Sequence, residues 1–139
     1  MKNISDLEKL DTQTLKYLLK NAVVKKQEEV QSDFLKFVKT VWPEFVEGKH
    51  HKIYAEKLNR IANGELKRLI VNMPPRHTKS EFASHLFPAF YMGRHPKAKL
   101  IQTTHTGELA IRFGRKAKNM IESSEYEKVF PDVKLAADS

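Results

Sequence analysis

Apolar residues recur every three or four positions through the first half of the chain, which is the spacing of one helix face. The first such stripe consists of Leu7, Leu10, Leu15, Leu18, Leu19 and Ala22. The second ends at Pro43 and consists of Val30, Phe34, Phe37, Val38, Val41 and Trp42. A third, from Ile53 to Ala62, precedes Asn63-Gly64, which suits a helix end because both residues tolerate positive φ. The pattern predicts three helices, with Phe34, Phe37 and Trp42 in the core.

The periodicity changes after Gly64. Residues 66–71 form a short, apolar and β-branched run that stops ahead of Pro74-Pro75, which favours a buried strand over a helix. Residues 98–104, with the sequence AKLIQTT, have the same character. Both stretches are therefore predicted to be strands.

Each predicted strand is followed by a stretch with helical spacing. Residues 79–92 place their apolar side chains on one face; Pro88 predicts a kink there and Gly93 the end of the helix. Residues 109–121 form a strongly amphipathic pattern. Strand, helix, strand and helix in this order predict an α/β fold with a right-handed parallel βαβ core, preceded by a helical segment.

Composition narrows the class of protein. The 139 residues include no cysteine, which excludes a disulfide framework, a thiolate nucleophile and a Cys-ligated metal. No apolar run approaches the roughly 18 residues of a membrane span, and the N-terminus lacks a signal-peptide pattern. We therefore expect a cytosolic protein with no membrane partner. A formal net charge of +8 indicates a polyanionic partner such as nucleic acid or nucleotide.

The positive charge is concentrated in the second half of the chain. Residues 66–139 carry 13 Lys and Arg against 7 Asp and Glu, whereas residues 1–65 carry 12 against 10. Arg112, Arg115 and Lys116 share one side of the last predicted helix, at i, i+3 and i+4. This side is a candidate surface for DNA phosphates, and an ordinary solvated helix face is the alternative.

The candidate chemistry lies between the first predicted strand and the helix after it. The sequence MPPRHTKS at residues 73–80 has the spacing of the phosphate-binding loop G-x-x-x-x-G-K-[ST]. In such loops backbone N–H groups cradle the phosphates, the lysine reaches the β- and γ-phosphates, and the hydroxyl ligates Mg²⁺. Lys79 and Ser80 fit these roles, whereas Met73 and Thr78 replace the two glycines. A plain strand-to-helix turn with an exposed lysine is the alternative.

The stretch from Arg68 to Ile121 resembles the large terminase subunits of tailed bacteriophages, the ATP-driven motors that package DNA into capsids. The family commonly shows a strand, a loop close to PPRHGKS, a helix leading to a G-R-x-P turn, and a strand ending in small polar residues. All four pieces occur here in that order. The similarity extends over most of residues 30–139 and implies a P-loop NTPase core with ATP and Mg²⁺ as cofactors.

The resemblance also implies a set of site residues. The nucleotide phosphates would be bound by Pro75, Arg76, His77, Thr78, Lys79 and Ser80, and Ser80 would also hold Mg²⁺ through the nucleotide. Arg76 is the candidate catalytic residue, because a guanidinium in this loop would stabilise charge on the γ-phosphate; an arginine turned toward solvent or a partner subunit is the alternative. His51 lies where related motors carry a residue that contacts adenine, and a surface position at a helix start is the alternative.

Two departures limit what the resemblance implies. Thr78 is β-branched and resists the positive φ of the glycine that it replaces. In addition, no apolar run followed by Asp-Glu supplies the carboxylates that orient water and complete the coordination of Mg²⁺. We therefore expect the N-terminal fragment of a terminase ATPase, with a helical segment at 1–64 and an incomplete P-loop core at 65–139. It would bind nucleotide without hydrolysing it.

The expected partners follow from the same resemblance. They are nucleotide, double-stranded DNA, a small terminase subunit, the portal and further copies of the chain in a ring, in the cytoplasm of the bacterial host. A non-hydrolysing nucleic-acid-binding or interaction module with a degenerate loop is the alternative function. A helicase fragment would share the loop but not the order of PPRHTKS and GRHP.

Overall fold

The structure is a computed structural model that describes residues 11–135, so that Leu7 and Leu10 of the first predicted stripe lie outside it. Its elements are α1 (Thr12–Ser32), α2 (Phe34–Val41), α3 (Lys49–Ala62), α4 (Lys79–Glu81), a π-helical turn (Phe82–Leu86), α5 (Phe87–Arg94), α6 (Gly107–Ile121) and α7 (Ser124–Val129). The residues that join α4, the π-helical turn and α5 all have helical backbone angles. These three elements therefore form one continuous central helix, residues 79–94.

The predicted α/β class, a P-loop NTPase with a parallel βαβ core, is wrong. The described part of the chain is helical and contains no strand, and the predicted strands at 66–71 and 98–104 have no regular secondary structure. A strand is stable only beside another strand that takes up its backbone N–H and C=O groups. Neither stretch has such a neighbour within residues 11–135. Ile70 and Ile101 are 88% and 92% exposed, which is incompatible with buried strands.

Local signals account for the helix boundaries. Asp33 separates α1 from α2: its backbone is extended, and its carboxylate accepts a hydrogen bond from the N–H of Lys36 at 2.8 Å. The third predicted helix and its end are confirmed, because α3 stops at Ala62 and is followed by Asn63 and by Gly64 with φ of +78°. The amphipathic helix predicted at 109–121 is confirmed as α6.

One aromatic core joins helices from both halves of the sequence. Phe34 and Phe37 of α2 are fully buried, and Trp42 packs at the edge of the same core, as predicted. The Phe34 ring meets Phe82 edge-on at 5.2 Å and Phe90 at 5.4 Å. Edge-to-face pairs contribute about 0.5–1.5 kcal/mol beyond their buried area. The core therefore fixes α2 against the central helix. The candidate site lies at the N-terminus of that helix.

The central helix accommodates Pro88 without ending. Just before the proline, the N–H of Phe87 donates to the carbonyl of Phe82, one residue further back than in an α-helix. Proline has no N–H, so the carbonyl of Ser84, four residues earlier, lacks its α-helical donor. The side chain of Gln102 replaces that donor, with Nε2 lying 3.2 Å from the Ser84 carbonyl. This hydrogen bond ties the irregular stretch 98–104 to the helix.

Candidate phosphate-binding site

Residues 73–80 form the turn that leads into the central helix. Together with Glu81 they line a surface cavity of about 440 Å³. Arg76 and Thr78 both have left-handed backbone conformations, with φ of +63° and +58°. A left-handed residue next to a right-handed one turns successive N–H groups toward one concave side, where an anion is bound. The turn therefore has the backbone curvature of an anion-binding loop although it contains no glycine.

The first N–H groups of the central helix are free to bind a ligand. Thr78 stands at the N-cap position, but its hydroxyl does not cap the helix. Within residues 11–135, no hydrogen bond takes up the N–H groups of Lys79 and Ser80. These groups carry the partial positive charge of the helix N-terminus, which favours anions.

His51 of α3 contacts the loop through the hydroxyl of Thr78. Its Nδ1 accepts the N–H of Gly48 at 2.8 Å, so the neutral ring carries its hydrogen on Nε2. Nε2 lies 2.6 Å from the hydroxyl oxygen of Thr78, to which it donates, and that hydroxyl donates to the His77 carbonyl at 2.6 Å. Burial, assisted by the nearby His50, lowers the pKa of His51 below its usual value and keeps the ring neutral.

The resemblance predicts that His51 contacts adenine, and the alternative is a surface position at a helix start. The side chain is only 6% exposed and packs edge-on against Phe45 at 4.8 Å, so the surface alternative does not describe it. Its contact with Thr78 was not foreseen from the sequence, in which the two residues are 27 positions apart. A contact with adenine stays a prediction.

The structure brings the other predicted phosphate ligands together. The cavity is lined by all six of them: Pro75, Arg76, His77, Thr78, Lys79 and Ser80. Lys79 reaches back across the loop, and its Nζ donates to the carbonyl of Met73 at 3.4 Å. Arg76 and Ser80 are exposed at the cavity. The guanidinium and the hydroxyl are therefore accessible to a phosphate entering from solvent, and half-buried Lys79 lines the same cavity.

Glu81 is the one acidic residue of the cavity, and its charge is compensated from α6. Lys116 Nζ lies 3.0 and 3.2 Å from the two carboxylate oxygens of Glu81. His85 Nε2 lies 3.4 Å from the same carboxylate. Because Lys116 neutralises Glu81, Arg76 and Lys79 leave the cavity with a surplus of positive charge.

The three basic residues predicted to bind DNA differ in their surroundings. Arg112 and Arg115 are exposed on α6, on the side that also carries Asn119. Lys116 is half-buried in its ion pair with Glu81. The structure therefore leaves two of the three predicted cations on an open face. The sequence contains no local signal for the third, since its partner lies 35 positions away.

A magnesium ion at this site would depend on the nucleotide. Within residues 11–135, no group of three or more acidic or histidine side chains is arranged to hold a metal. Ser80 presents an exposed hydroxyl at the cavity. This fits Mg²⁺, which in proteins is commonly held by one or two side chains together with substrate phosphates and water.

No protein-family model matches the chain, and no curated protein or solved structure was found to match it. Over residues 11–135, no helix combines the length and the apolar character needed to cross a membrane.

Proposed function

We propose that residues 73–80 bind the phosphates of ATP, and that the chain is the N-terminal ATPase fragment of a phage large terminase. The observation that carries the proposal is the left-handed turn that opens into a helix N-terminus with free N–H groups at Lys79 and Ser80. The role in packaging double-stranded DNA comes from the resemblance of the sequence. Phosphate binding needs no parallel sheet, because its contacts come from the loop and the helix N-terminus.

Each side chain has a distinct part in this proposal. Lys79 exchanges its long hydrogen bond to the Met73 carbonyl for charge-assisted bonds to the β- and γ-phosphates, which are stronger. Arg76 stabilises charge on the γ-phosphate, and Ser80 supplies a hydroxyl ligand to Mg²⁺. A Mg²⁺ ion would be held by Ser80 together with the nucleotide and would supply positive charge to the phosphates.

The proposed activity is binding without turnover. Hydrolysis requires a carboxylate that orients water, and the sequence has no apolar run followed by Asp-Glu. Glu81 does not replace it, because both of its oxygens are engaged by Lys116. Asp138 is a further acidic residue of the chain and lies outside the described residues.

The partners and the place of action belong to the same proposal. They are double-stranded DNA, a small terminase subunit, the portal and a homo-oligomeric ring, in the cytoplasm of the bacterial host. Their support is the order of terminase-like motifs along the sequence.

Titration of the full chain with ADP and ATP, with and without Mg²⁺, tests the nucleotide site. We expect shifts of the backbone amide resonances of residues 76–80 and measurable heat of binding, both lost in Lys79→Ala. Lys97→Ala is the matched control, since Lys97 is an exposed lysine outside the loop. Equal binding by the wild type and Lys79→Ala would contradict the proposal. Steady ATP hydrolysis that disappears in Lys79→Ala would contradict binding without turnover.

The second candidate function is a non-hydrolysing nucleic-acid-binding module. The observation that favours it is the exposure of Arg112 and Arg115 on one side of α6. Such binding should be independent of DNA sequence and should fall steeply between about 20 mM and about 200 mM salt. Fluorescence anisotropy with a duplex would show weaker binding by Arg112→Gln/Arg115→Gln and no change in Lys79→Ala. DNA binding by a chain that binds no nucleotide would favour this function.

A further inference from the structure

Thr78 has a conformation that its side chain disfavours. Its φ of +58° lies in the left-handed region, which is rare for a β-branched residue. Such conformations persist only where surrounding contacts impose them. The contacts at Thr78 come from its hydroxyl, which lies 2.6 Å from His51 Nε2 and 2.6 Å from the carbonyl of His77.

The hydroxyl of Thr78 makes these two hydrogen bonds and does not cap the helix. A threonine at an N-cap ordinarily accepts a hydrogen bond from the second or third N–H of its helix, and so occupies the groups that an anion would bind. Here the hydroxyl accepts a hydrogen bond from His51 Nε2 and donates one to the carbonyl of His77, and it makes no capping bond to the helix. Within the described residues, the N–H groups of Lys79 and Ser80 at the start of the helix make no hydrogen bond.

The imidazole of His51 is itself held rigidly. The N–H of Gly48 fixes its Nδ1 at 2.8 Å, and the ring packs against Phe45 at 4.8 Å and Phe82 at 5.4 Å. Both the tautomer and the plane of the ring are therefore set by the start of α3 and by the core. His51 Nε2 is therefore a donor of fixed position, which can hold Thr78 in its strained conformation.

We propose that His51 is the positioning residue of the phosphate-binding loop. Its buried imidazole holds Thr78 in the left-handed conformation and keeps the hydroxyl away from the N–H groups that receive the phosphate. Thr78 therefore takes the left-handed conformation that a glycine would adopt only while His51 holds its hydroxyl. This inference rests on the proposed phosphate site and goes beyond it by assigning His51 a role that requires no contact with nucleotide.

A matched pair of variants separates the two hydrogen bonds of the ring. The amide of asparagine reaches about the place of Nδ1, so His51→Asn retains an acceptor for Gly48 and loses the donor to Thr78. The longer amide of glutamine reaches about the place of Nε2, so His51→Gln retains that donor. With inorganic pyrophosphate as the probe, we expect about five- to tenfold weaker binding for His51→Asn and at most about twofold for His51→Gln.

Two further variants test the mechanism. Because glycine adopts the left-handed conformation without support, Thr78→Gly/His51→Asn should bind pyrophosphate as tightly as Thr78→Gly alone. Equal losses in His51→Asn and His51→Gln, or no rescue by Thr78→Gly, would overturn the positioning role. Thermal unfolding of each variant identifies any loss that comes from unfolding.

A ligand-free measurement keeps the two proposals distinguishable. The ¹³C chemical shifts of residue 78 report its backbone conformation, and we expect them to leave the left-handed range in His51→Asn but not in His51→Gln. If the wild type binds neither pyrophosphate nor nucleotide, the proposed function fails, and these shifts still decide whether His51 positions Thr78. Unchanged shifts in His51→Asn would overturn the inference even if phosphate binds.

Discussion

Phe130 packs directly on Gly93, so closely that a Cβ on residue 93 would lie 2.6 Å from two carbons of the ring. Phe130 follows α7, is nearly fully buried, and reaches the rings of Phe37 and Phe90 at 6.0 and 6.3 Å. Gly93 does not end its helix as the sequence predicted, because α5 continues to Arg94. The glycine instead leaves room for the C-terminal part of the chain to enter the core.

Gly93→Ala should therefore lower the free energy of unfolding by about 1–3 kcal/mol, since the methyl group has to displace a core ring. Gly114→Ala is the control: Gly114 lies in α6 with nothing near the position of a new Cβ. That substitution should stabilise the protein by about 0.5–1 kcal/mol through helix propensity. Urea unfolding measures both. Equal changes in the two variants would show that Phe130 does not depend on Gly93.

The stability of the protein should decrease as the pH falls. Burial lowers the pKa of both His51 and His85 from the usual 6.5. Below that pH the unfolded chain binds more protons than the folded chain, so the stabilisation present above pH 6.5 is lost as the pH falls through the folded pKa values. The groups that face the two rings are Glu47, His50 and His77 for His51, and Glu81 and Lys116 for His85.

Urea unfolding at about pH 7.5 and about pH 5.5 checks this pH dependence. His85→Gln should weaken it, because one of the two buried imidazoles is gone. His105→Gln should leave it unchanged, since His105 is exposed. A free energy of unfolding that stays constant over this range would contradict the prediction.

The hydrogen bond from Gln102 to Ser84 should stabilise the protein most when residue 88 is proline. Gln102→Ala should lower the free energy of unfolding by about 0.5–1.5 kcal/mol, because the Ser84 carbonyl loses its donor. In Pro88→Ala, a backbone N–H at residue 88 can reach that carbonyl, so the further loss on adding Gln102→Ala should be smaller. A double-mutant cycle measures the difference. Equal losses in both backgrounds would refute this interpretation.

Lys116 should contribute to stability, and Arg115 should not. Lys116→Gln breaks the half-exposed ion pair with Glu81 and should cost at most about 1 kcal/mol, with a smaller effect in high salt. Arg115→Gln, on the open side of the same helix, is the control and should leave thermal unfolding unchanged. In DNA binding at low salt the order should reverse, with Arg115→Gln causing the larger loss.

Helices were predictable from the sequence because their signals are local. α3 has an apolar stripe and an Asn-Gly end within one short segment, and α6 has a pattern that is unambiguously amphipathic. The two predicted strands were wrong, because an apolar run forms a strand only beside a neighbouring strand that its own residues do not specify. Leu69 and Val71 are partly buried against the helical core, so the apolar run at 66–71 packs without any sheet.

In the candidate site, too, the local features were predictable from the sequence and the long-range contacts were not. The motif around Lys79 and Ser80 located the cavity, since the spacing of a phosphate-binding loop is contained within eight residues. The sequence also predicted backbone strain at Thr78, a β-branched residue in place of a glycine. It could not identify the support for that strain, because the partner, His51, lies in a different helix. The one available signal was a histidine near the start of a predicted helix, upstream of a loop that lacks its glycine.

The shared aromatic core makes folding and ligand binding parts of one equilibrium. Phe34 comes before the loop in sequence and Phe82 comes after it, yet the two rings touch inside a single core. We expect such a core to unfold cooperatively, so that the first three helices and the last four are lost together. Phosphate bound at the loop would stabilise even the distant contact between Phe130 and Gly93 by mass action. A rise in melting temperature with ligand concentration would therefore be a property of the whole described chain, and not of the loop alone.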